Sequence, residues 1–588
     1  GRLCMTDTEP ETVRCPCLVI GAGAAGARAA IGMMQEGLEP LVVSKRDHGD
    51  AHTTWARGGI NAALGNVDGS DSWEVHAADT LDEGHYVNDP EAVEVVTKEA
   101  PKRIRELDDW GMEFSRTPDG EINQRYFGAQ AYPRTCFAGD HTGESMLDTL
   151  VSKAQDLGIP YRDNVMVTRL LSDGDEVYGA AGYDMEEGRF VRFLAGAVVL
   201  AAGGATAVYS RHSSREEENN GDGAALAYQA GAELMDMEFV QFHPTGMVGE
   251  RYGEEWDGRL VTEAVRGDGG VLRNSEGERF MFEYSDMDRP ELDARDVVAR
   301  GISKEIEEGR GTENGGVYLD ISGEDREYIR ERLPRMYERF ESLGVDIAEE
   351  PMEVAPTAHY AMGGVDFDPR TGETAVEDLY VIGETTAGVH GANRLGGNSL
   401  AETVTVGKLV GEHVATQGPE APGAEPGLEH GSEKEFDRLR EKLDTDGSED
   451  VEEVVEDLGE VMEDHAGIRR DEESLKRGIE RLGEIRERTE RLDIDGDITS
   501  VEFEFAVDLE FMVTVAEGIL RGALERAESR GAHYRDDHPE RSRDWRKNVL
   551  YRKTGDGMTL RTTEPGEPKE GVKKALDEQH ELEYHHLE

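Results

Sequence analysis

The pattern of hydrophobic positions starts with a short apolar run that leads into three glycines and then into a helix-forming segment. Residues 18–26 read LVIGAGAAG, and Ala24–Gln35 continues with helical spacing. This order of strand, turn and helix is the context that a dinucleotide-binding fingerprint requires. In such a turn Gly21 permits the bend, Gly23 lets the backbone approach a pyrophosphate, and Gly26 lets the helix pack against its strand. The sequence therefore predicts a phosphate site at the start of this helix.

Further along the chain, apolar periodicity predicts alternating strands and helices. Pro40–Val43 follows as a second strand, and residues 191–204 form a buried strand that ends in small residues. Residues 90–110 have the spacing of an amphipathic helix, and residues 219–231 open another helix with Asp222 near its N-terminus. Strands that alternate with helices in this way predict an α/β fold.

Shifts in composition divide the chain into segments. Residues 14–246 and 355–416 hold the Gly-rich signals, so they are predicted as two parts of one nucleotide-binding domain. Residues 247–354 carry charged helices and short turns, which predicts an inserted domain. Residues 430–530 have helical periodicity and heavy charge, and residues 531–588 form a polar, weakly patterned tail.

The charge balance narrows the possible functions. The 588 residues include 126 acidic and 64 basic side chains, for a formal net charge of −62. This excess argues against nucleic-acid binding through a basic face and against adsorption to an anionic membrane. Because the acidic residues are spread along the whole chain, we interpret the charge as a halophilic adaptation, in which salt screens self-repulsion. An ordinary acidic protein is the alternative.

Two further absences limit the interpretation. No apolar run reaches the ~18 residues that suggest a membrane-spanning helix, so no direct membrane span is expected. The four cysteines form neither a CxxC pair nor the spacing of a ferredoxin; they are Cys4, Cys15, Cys17 and Cys136. We therefore expect no metal site in this chain, and a reduced, cytoplasmic location.

The candidate chemistry starts at the end of the second strand, where Ser44 and Lys45 stand. An NAD site usually has an acidic residue at this point to bind the ribose diol, and its absence leaves room for FAD. Small residues surround His52 in the loop DAHTTWARGGIN, which lets backbone lie close to a flat ligand. Spacing alone favours a solvent-facing histidine there. Glu384 follows a short predicted strand and can accept hydrogen bonds from ribose or ribityl hydroxyls.

Four specific segments together carry a family resemblance. QFHPTG, ARDVVAR, PTAHYAMGG and HGANRLGGNSL occur in this order, between GAGAAG near the start and ESRGAHYRDDHPER at residues 528–541. Over most of its length the chain resembles the flavoprotein subunit of succinate dehydrogenase and fumarate reductase. The resemblance implies a Rossmann-like FAD-binding domain, an inserted α+β capping domain, a C-terminal helical domain and a tail. It places FAD against Gly21, Gly23, Gly26, Ser44, Lys45, Thr53, Gly58, Gly59, Asp222, Glu384, Ser399 and Leu400.

The resemblance changes the interpretation of His52, which matches the histidine that family members tether covalently to the flavin ring. A covalent tether keeps the cofactor bound and alters its electron demand. The chain departs from the family pattern at Arg57, where members usually carry Gln or Glu beside the flavin. A permanent cation there could favour the reduced, anionic flavin, or the side chain could point away.

Succinate oxidation, which the resemblance implies, removes a hydride and a proton from adjacent carbons, so both carboxylates of the substrate must be held. The matching positions at one end are His243 and Thr262. At the other end they are His359 and Arg394, where Arg394 can bind a carboxylate through two parallel hydrogen bonds. Each histidine taken alone is more typical of a structural residue.

The proton donor and acceptor of the family matches Arg295. A guanidinium is normally held protonated, so this role comes from the resemblance and not from ordinary side-chain chemistry. Glu263 and Arg266 lie three residues apart on one predicted helical face, where they match a relay that carries protons onward. An exposed ion pair is the alternative for these two residues.

Partners are implied by the same resemblance. Because the chain has no cluster motif, its electrons would pass first to a separate iron–sulfur subunit, then to quinone. Membrane anchor subunits would hold the complex on the cytoplasmic face of the membrane.

Three other functions stay open at this point. The first is fumarate reduction, the reverse reaction, including a soluble or thiol-coupled enzyme with the same catalytic residues. The second is L-aspartate oxidation with noncovalent FAD, which His52 and the pair Gly396 and Gly397 disfavour. The third is a flavinylated electron carrier without turnover, which the intact catalytic positions disfavour.

The net charge of −62 generates a test of the halophilic interpretation. The Debye length falls from about 30 Å at 0.01 M salt to about 3 Å at 1 M, so molar salt removes most repulsion between exposed carboxylates. Exposed ion pairs weaken as well, but each contributes little to stability. We expect the unfolding temperature of the flavin-loaded protein to rise with KCl in thermal melts. A temperature that stays flat or falls between about 0.1 M and about 2 M KCl contradicts the adaptation.

Overall fold

The computed structural model describes residues 9–215, 218–424, 427–555 and 557–579. Cys4 and the last residues of the predicted tail, 580–588, lie outside this part of the chain. Within it the fold is mixed α/β, which confirms the fold class predicted from the sequence. The three described cysteines are buried and free, and no described helix is long and apolar enough to cross a membrane.

A seven-stranded sheet forms the centre of the fold. Glu11–Ile20 lies between Pro40–Val43 and Arg189–Leu200 and pairs in parallel with both. Leu379–Val381 adds a parallel strand beside Arg189–Leu200. In this register the last residues of the four strands lie side by side at one edge of the sheet. The carboxyl ends of parallel strands are where α/β folds bind their ligands, so this edge positions the candidate site.

The other strands extend this sheet at its two sides. Val165–Asp173 and Glu176–Asp184 form an antiparallel hairpin beside Arg189–Leu200. Tyr161–Arg162 pairs in parallel with Pro40–Val43.

A second, four-stranded antiparallel sheet lies in the middle of the chain. Its order is Val240–Met247, Met352–Ala361, Val317–Asp320 and Val271–Arg273. The domain limits predicted after residues 246 and 354 fall within the first two of these strands. These strands connect the Gly-rich part of the chain with the inserted segment, and the domain limits stay predictions.

Helices cover the sheets. Ala24–Gln35 packs against Asn398–Gln417, which begins where the HGANRLGG segment ends. The other helices of the first 400 residues are Trp73–Glu83, Pro90–Asp109, Thr142–Asp156, Asp222–Gln229, Gly249–Tyr252, Ala264–Gly267, Arg295–Glu307, Arg326–Arg332 and Pro334–Ser342. Short strands lie at Ile60–Asn61, Gln124–Arg125, Thr135–Cys136, Leu234–Met235, Gly364–Val365, Glu449–Asp450 and Leu492–Asp493.

The C-terminal part is helical, as its periodicity predicts. His430–Asp444 is followed by three helices that pack on one another: Val451–Ala466, Glu472–Thr489 and Val501–Glu525. Val501–Glu525 also packs against Asp222–Gln229 at the edge of the candidate site. The helical part therefore contributes to the wall behind that site.

The tail is more ordered than its polar composition predicts. Asn548–Thr554 and Gly557–Thr563 form a hairpin, and Glu570–Gln579 packs against Trp73–Glu83. The first strand of the hairpin also pairs with Leu234–Met235. Local periodicity did not indicate this order because the stabilising partners come from the first half of the chain.

The glycine turn after the first strand explains how the first helix meets the sheet. Gly21 has a φ of +115°, and a Cβ at this position would lie 2.0 Å from the carbonyl oxygen of Ala201. A Cβ at Gly26 would lie 2.0 Å from the carbonyl oxygen of Gly21. No larger side chain fits at either position, so the helix begins directly against the turn.

We expect Gly26→Ala to destabilise the protein, because the added methyl group must displace the backbone of the turn. Overpacking of this kind costs typically about 1–3 kcal/mol. The measurement is the unfolding temperature of the flavin-loaded protein. Gly69→Ala is the matched control, because a Cβ at Gly69 meets nothing within 4 Å. Equal unfolding temperatures for the two variants contradict the role of this contact.

Candidate functional site

One continuous cavity runs from the glycine turn at the sheet edge to the inserted segment. It brings together residues that are distant in the sequence, from the loop at His52 to the strand at His243 and the helix at Arg295. Every site residue predicted from the sequence lines this cavity except Gly26 and Arg266. Gly26 packs behind the turn, and Arg266 lies behind Glu263.

The nucleotide end of the cavity is built from the start of the helix Ala24–Gln35. Gly23 is its N-cap and brings no capping side chain of its own, and the first turn holds no acidic residue. The hydroxyl of Thr53 accepts a hydrogen bond from the backbone N–H of Ala24 at 3.2 Å, which fixes the following loop to the turn. The N–H groups at a helix start, together with the helix dipole, favour an anion here.

Glu384 lies on the same wall, next to the small residues that follow the strand Arg189–Leu200. Its Oε1 accepts from the backbone N–H of Ala361 at 3.1 Å, and a Cβ at Gly204 would lie 2.2 Å from the same oxygen. Burial raises the pKa of Glu384 to about 7. A carboxylate in this position gains from hydroxyl donors, which favour its charged form.

Lys45 connects the second strand with the C-terminal helices. Its Nζ lies 3.3 Å from Oδ1 of Asp508 and 3.7 Å from Oδ2 of Asp222. Burial opposes the charge of Lys45, but these two carboxylates outweigh it and raise the pKa of the lysine above its usual value. Burial raises the pKa of Asp508 to about 7, an effect that Lys45 reduces. Asp508 is a site neighbour that the sequence analysis missed.

His52 opens a short helical turn, His52–Trp55, on the cavity wall. Burial lowers its pKa to about 4, with further contributions from Arg215 and His212. The ring is therefore neutral at pH 7. Its Nδ1 is buried and has no hydrogen-bond partner among the described residues. A neutral ring with an unsatisfied nitrogen in a cavity is a candidate ligand-binding group.

Arg295 and Arg266 share one buried carboxylate, that of Glu263. Nε of Arg295 donates to Oε1 of Glu263 at 3.3 Å, and Nη2 of Arg266 lies 3.5 Å from the same oxygen. Burial alone raises the pKa of Glu263, but the two guanidiniums overcome it and hold the pKa below its usual value. Glu263 and Arg266 are 3% and 0% exposed, so they are not the exposed ion pair that the sequence left open.

Arg394 projects into the same end of the cavity. Its guanidinium lies 4.4 Å from the ring centre of Tyr360, and Nη1 donates to Oγ of Ser399 at 3.1 Å. Its Nε is buried without a partner in the described part of the chain. Burial, and then repulsion from Arg295, lower its pKa to about 9. An anion beside Arg394 would satisfy its N–H groups and relieve the repulsion.

The rings of His243 and His359 lie near each other, with their centres 5.3 Å apart. The backbone N–H of Thr245 donates to Nδ1 of His243 at 3.2 Å, so the proton of the neutral ring is on Nε2. Burial, and then Arg295, hold the pKa of His243 well below its usual value. Nε2 is buried and finds no partner among the described residues, which leaves it as an N–H donor. Nδ1 of His359 lies 2.7 Å from Oγ of Ser213.

Thr262 completes this end of the cavity. Its Oγ1 accepts from the backbone N–H of Ala264 at 3.3 Å. The hydroxyl proton is therefore available to a ligand. Together, His243 and Thr262 offer two neutral donors, and His359 with Arg394 offers a second donor set, which can hold the two ends of a dianion.

The sequence analysis missed the residues that orient Arg295. Oε1 of Gln241 accepts from Nη1 of Arg295 at 3.1 Å, while Nε2 of Gln241 donates to Oδ1 of Asn393 at 2.9 Å. Nδ2 of Asn393 donates to Oδ1 of Asp296 at 2.9 Å and to Glu83. Because the Asp296 carboxylate only accepts, it fixes which way both amides point. Both residues lie within predicted motifs, two positions before His243 and one before Arg394.

Nη2 of Arg295 takes no hydrogen-bond partner within the described chain. Its Nε and Nη1 are held by Glu263 and Gln241, so the orientation of the planar group is fixed at two points. The third nitrogen is the one that remains for a ligand.

Comparisons with known proteins agree with this geometry. A family model described as an FAD binding domain matches residues 17–400, and one described as the fumarate reductase flavoprotein C-terminus matches residues 455–575. The chain is 44% identical over 545 residues to a subunit of the fumarate reductase (CoM/CoB) of Methanothermobacter marburgensis, and the match covers 92% of this chain and 98% of that protein. It is 36% identical over 561 residues to a succinate dehydrogenase flavoprotein subunit of Rickettsia bellii, covering 91% and 92% respectively.

The fold is similar to that of an E. coli quinol fumarate reductase. The TM-score is 0.88 at 34% identity, and the match covers 96% of this chain and 99% of the other.

The cavity fits the FAD that these comparisons indicate. The helix start suits a pyrophosphate, Glu384 suits ribose or ribityl hydroxyls, and the unsatisfied Nδ1 of His52 stands on the same wall. A Cβ at Gly58 would lie 2.4 Å from the ring of Phe127, which shows how closely this loop is packed along the cavity. Arg57 also lines the cavity.

Proposed function

Because the chain belongs to the succinate dehydrogenase and fumarate reductase flavoprotein family, we propose that it is the catalytic subunit that oxidises succinate to fumarate. The observation that carries this proposal is that two donor sets and Arg295 line the same cavity. His243 and Thr262 form one set, and His359 and Arg394 form the other. The surplus of positive charge around them suits a dicarboxylate and disfavours a substrate with an ammonium group.

The donor sets hold the substrate in one orientation. Nε2–H of His243 and the hydroxyl of Thr262 bind one carboxylate, and Arg394 with His359 binds the other. Because the guanidinium of Arg394 is stacked on Tyr360 and bonded to Ser399, its fork is held in place before the substrate arrives. When bound, FAD supplies the two-electron acceptor for the reaction.

Arg295 moves the proton. We assign this role to Nη2, which the described chain leaves without a partner, while Glu263 and Gln241 hold the other two nitrogens. For succinate oxidation Arg295 first gives a proton to Glu263, which passes it onward with Arg266. Arg295, neutral after this transfer, then takes at Nη2 the proton that leaves a methylene carbon of the substrate. Burial lowers the pKa of Arg266 to about 10, which brings this guanidinium nearer to proton exchange.

Fumarate reduction is the second candidate function, with the same residues acting in reverse. A relative at 44% identity is named a fumarate reductase, while relatives at 36% identity are named succinate dehydrogenase flavoprotein subunits. These names support the shared chemistry and leave both directions as proposals. Because the first relative is named a fumarate reductase (CoM/CoB), a thiol-coupled reductase also stays among the candidates.

The electron path is part of the proposal. We infer that electrons pass to a separate iron–sulfur subunit, because the four cysteines have no cluster spacing. A structural neighbour is named a quinol fumarate reductase, which supports quinone as the distal partner. Membrane anchor subunits would then place this chain at the cytoplasmic face of the membrane.

The direct test is turnover by the purified, flavin-loaded protein. We expect reduction of an artificial electron acceptor with succinate, and oxidation of a reduced dye with fumarate. L-aspartate is the control substrate, because its ammonium group would stand among the cavity arginines. Turnover of L-aspartate without turnover of succinate or fumarate contradicts the proposed function.

We expect Arg295→Gln to bind dicarboxylates and to lose turnover by about 10³-fold or more, because proton transfer is a transition-state contribution. Lys304→Gln is the matched control, since Lys304 lies on the same helix but is exposed and paired with Glu308. The measurements are kcat, and dicarboxylate affinity by titration. Near-normal turnover in Arg295→Gln refutes the assignment.

We propose a covalent flavin at His52, supported by its neutral ring and its unsatisfied Nδ1 in the cavity. Acid-denatured protein should show flavin fluorescence on the polypeptide band, and His52→Ser should bind FAD without this fluorescence. That variant should impair succinate oxidation more than fumarate reduction. His48→Ser is the control, because His48 stacks on Tyr161 and bonds to Asp163. A nonfluorescent wild-type band, from cells given ample FAD and assembly factors, rules out the tether.

A further inference from the structure

A second group of arginines lines the cavity apart from the residues used above. Arg57 comes from the loop after His52, Arg259 stands just before Leu260, which forms an isolated β-bridge with Gly246, and Arg339 lies on the helix Pro334–Ser342. We name these three the outer arginines. They bring positive charge to the cavity wall of a chain whose net charge is −62.

Aromatic rings hold two of the outer arginines in place. The guanidinium of Arg259 lies 4.8 Å from the ring centre of Trp55 and 4.7 Å from that of Trp256. Arg339 lies 5.6 Å from the ring of Trp256, and its Nη1 donates to the carbonyl oxygen of Leu260 at 3.2 Å. These ring contacts limit the orientations that the two guanidiniums can take.

The outer arginines act on one another. Arg259 and Arg339 both lie against the ring of Trp256. The pKa of Arg339 falls to about 10 because of burial, and then because of Arg57 and Arg259.

Asp140, the carboxylate that acts on both Arg57 and Arg339, is engaged by the backbone. Asp140 opposes the lowering of the pKa of Arg339 and of Arg57, but its oxygens accept from the backbone N–H groups of Arg335 and Met336 at 3.2 Å and 3.0 Å. Arg57 and Arg339 form no ion pair with a described carboxylate. Arg57 and Arg339 therefore lack a paired carboxylate, which a bound anion would supply.

We propose that Arg57, Arg259 and Arg339 form a second carboxylate-binding subsite, which holds one end of a dicarboxylate before it reaches the substrate residues. This inference rests on the proposed function for the identity of the ligand. Arg57 belongs to the Gly-rich part and the other two belong to the inserted segment, so a bound carboxylate also bridges these two parts of the chain.

High salt makes a contact site more useful than long-range attraction. At molar salt the Debye length is about 3 Å, so exposed charges no longer guide a ligand from a distance. Guanidiniums that touch the ligand in a cavity are screened much less. A subsite of this kind raises the fraction of cavities that hold a ligand at salt concentrations that screen long-range electrostatic attraction.

The binding test uses the flavin-loaded protein and succinate as the probe, measured by calorimetry. Arg394→Gln weakens the substrate position, and we expect a second, weaker succinate site to remain in this variant. Adding Arg259→Gln and Arg339→Gln should weaken that remaining site by at least about tenfold, because charge-assisted hydrogen bonds are lost. The control combines Arg394→Gln with Arg330→Gln instead of the two outer-arginine substitutions. Arg330 is 55% exposed and lies outside the cavity. No residual site, or equal affinity with and without the outer arginines, overturns the proposal.

A kinetic test in the otherwise unaltered enzyme keeps the proposal falsifiable where Arg394→Gln does not fold. We expect Arg259→Gln/Arg339→Gln to raise the KM for succinate about tenfold and to lower kcat much less. Flavin content and unfolding temperature verify that the variant is folded. An unchanged KM overturns the subsite.

The two proposals fail in distinguishable ways. If removal of the outer arginines weakens succinate binding, the subsite is supported, whatever the turnover of the wild-type protein. If the wild-type protein does not turn succinate over, the proposed function is wrong. Normal turnover with an unchanged KM in the double variant removes the subsite and leaves the function standing.

Discussion

The attraction between Glu263 and two buried guanidiniums is the interaction on which the rest of the site depends. Arg295 and Arg266 both contact the same carboxylate oxygen, and all three side chains are buried. Removing one member of a buried ion pair leaves an uncompensated charge, which is strongly destabilising. Glu263 therefore fixes the guanidinium of Arg295 and supports the positive charge that the cavity presents to an anion.

The orientation of Arg295 is set from the opposite side by neutral groups. Gln241 and Asn393 form a chain of amides that ends at the carboxylate of Asp296. Since each amide has one donor end and one acceptor end, the carboxylate determines the direction of the whole chain. A charged contact on one side and a directional chain on the other leave only Nη2 for the substrate. Such preorganisation reduces the reorganisation needed during the reaction.

Local motifs in the sequence predicted the first strand, the glycine turn and the first helix correctly, because their signals lie within a few neighbouring residues. The family resemblance assigned His243, Arg295 and Arg394 to the substrate site, and all three line one cavity. Local motifs do not indicate contacts between segments that are distant in the sequence. Lys45 meets Asp508 across most of the chain, and the tail hairpin pairs with Leu234–Met235.

The roles of Gln241 and Arg57 illustrate the same limit. Gln241 stands inside a recognised motif, but only the fold shows that it bridges Arg295 and Asn393. Arg57 was noted as a departure from the family pattern, and sequence alone left its direction open. Its place among the outer arginines depends on packing between the Gly-rich part and the inserted segment, which local periodicity does not encode.

The central claim is that Arg295 stands between two carboxylate-binding donor sets with Nη2 directed at the substrate. The most direct measurement is a crystal structure of the flavin-loaded protein with fumarate bound. The account predicts one carboxylate against His359 and Arg394, the other against His243 and Thr262, and Nη2 of Arg295 within about 3.2 Å of a ligand atom. Fumarate bound with either carboxylate away from these residues, or with Nη2 turned from the ligand, contradicts it.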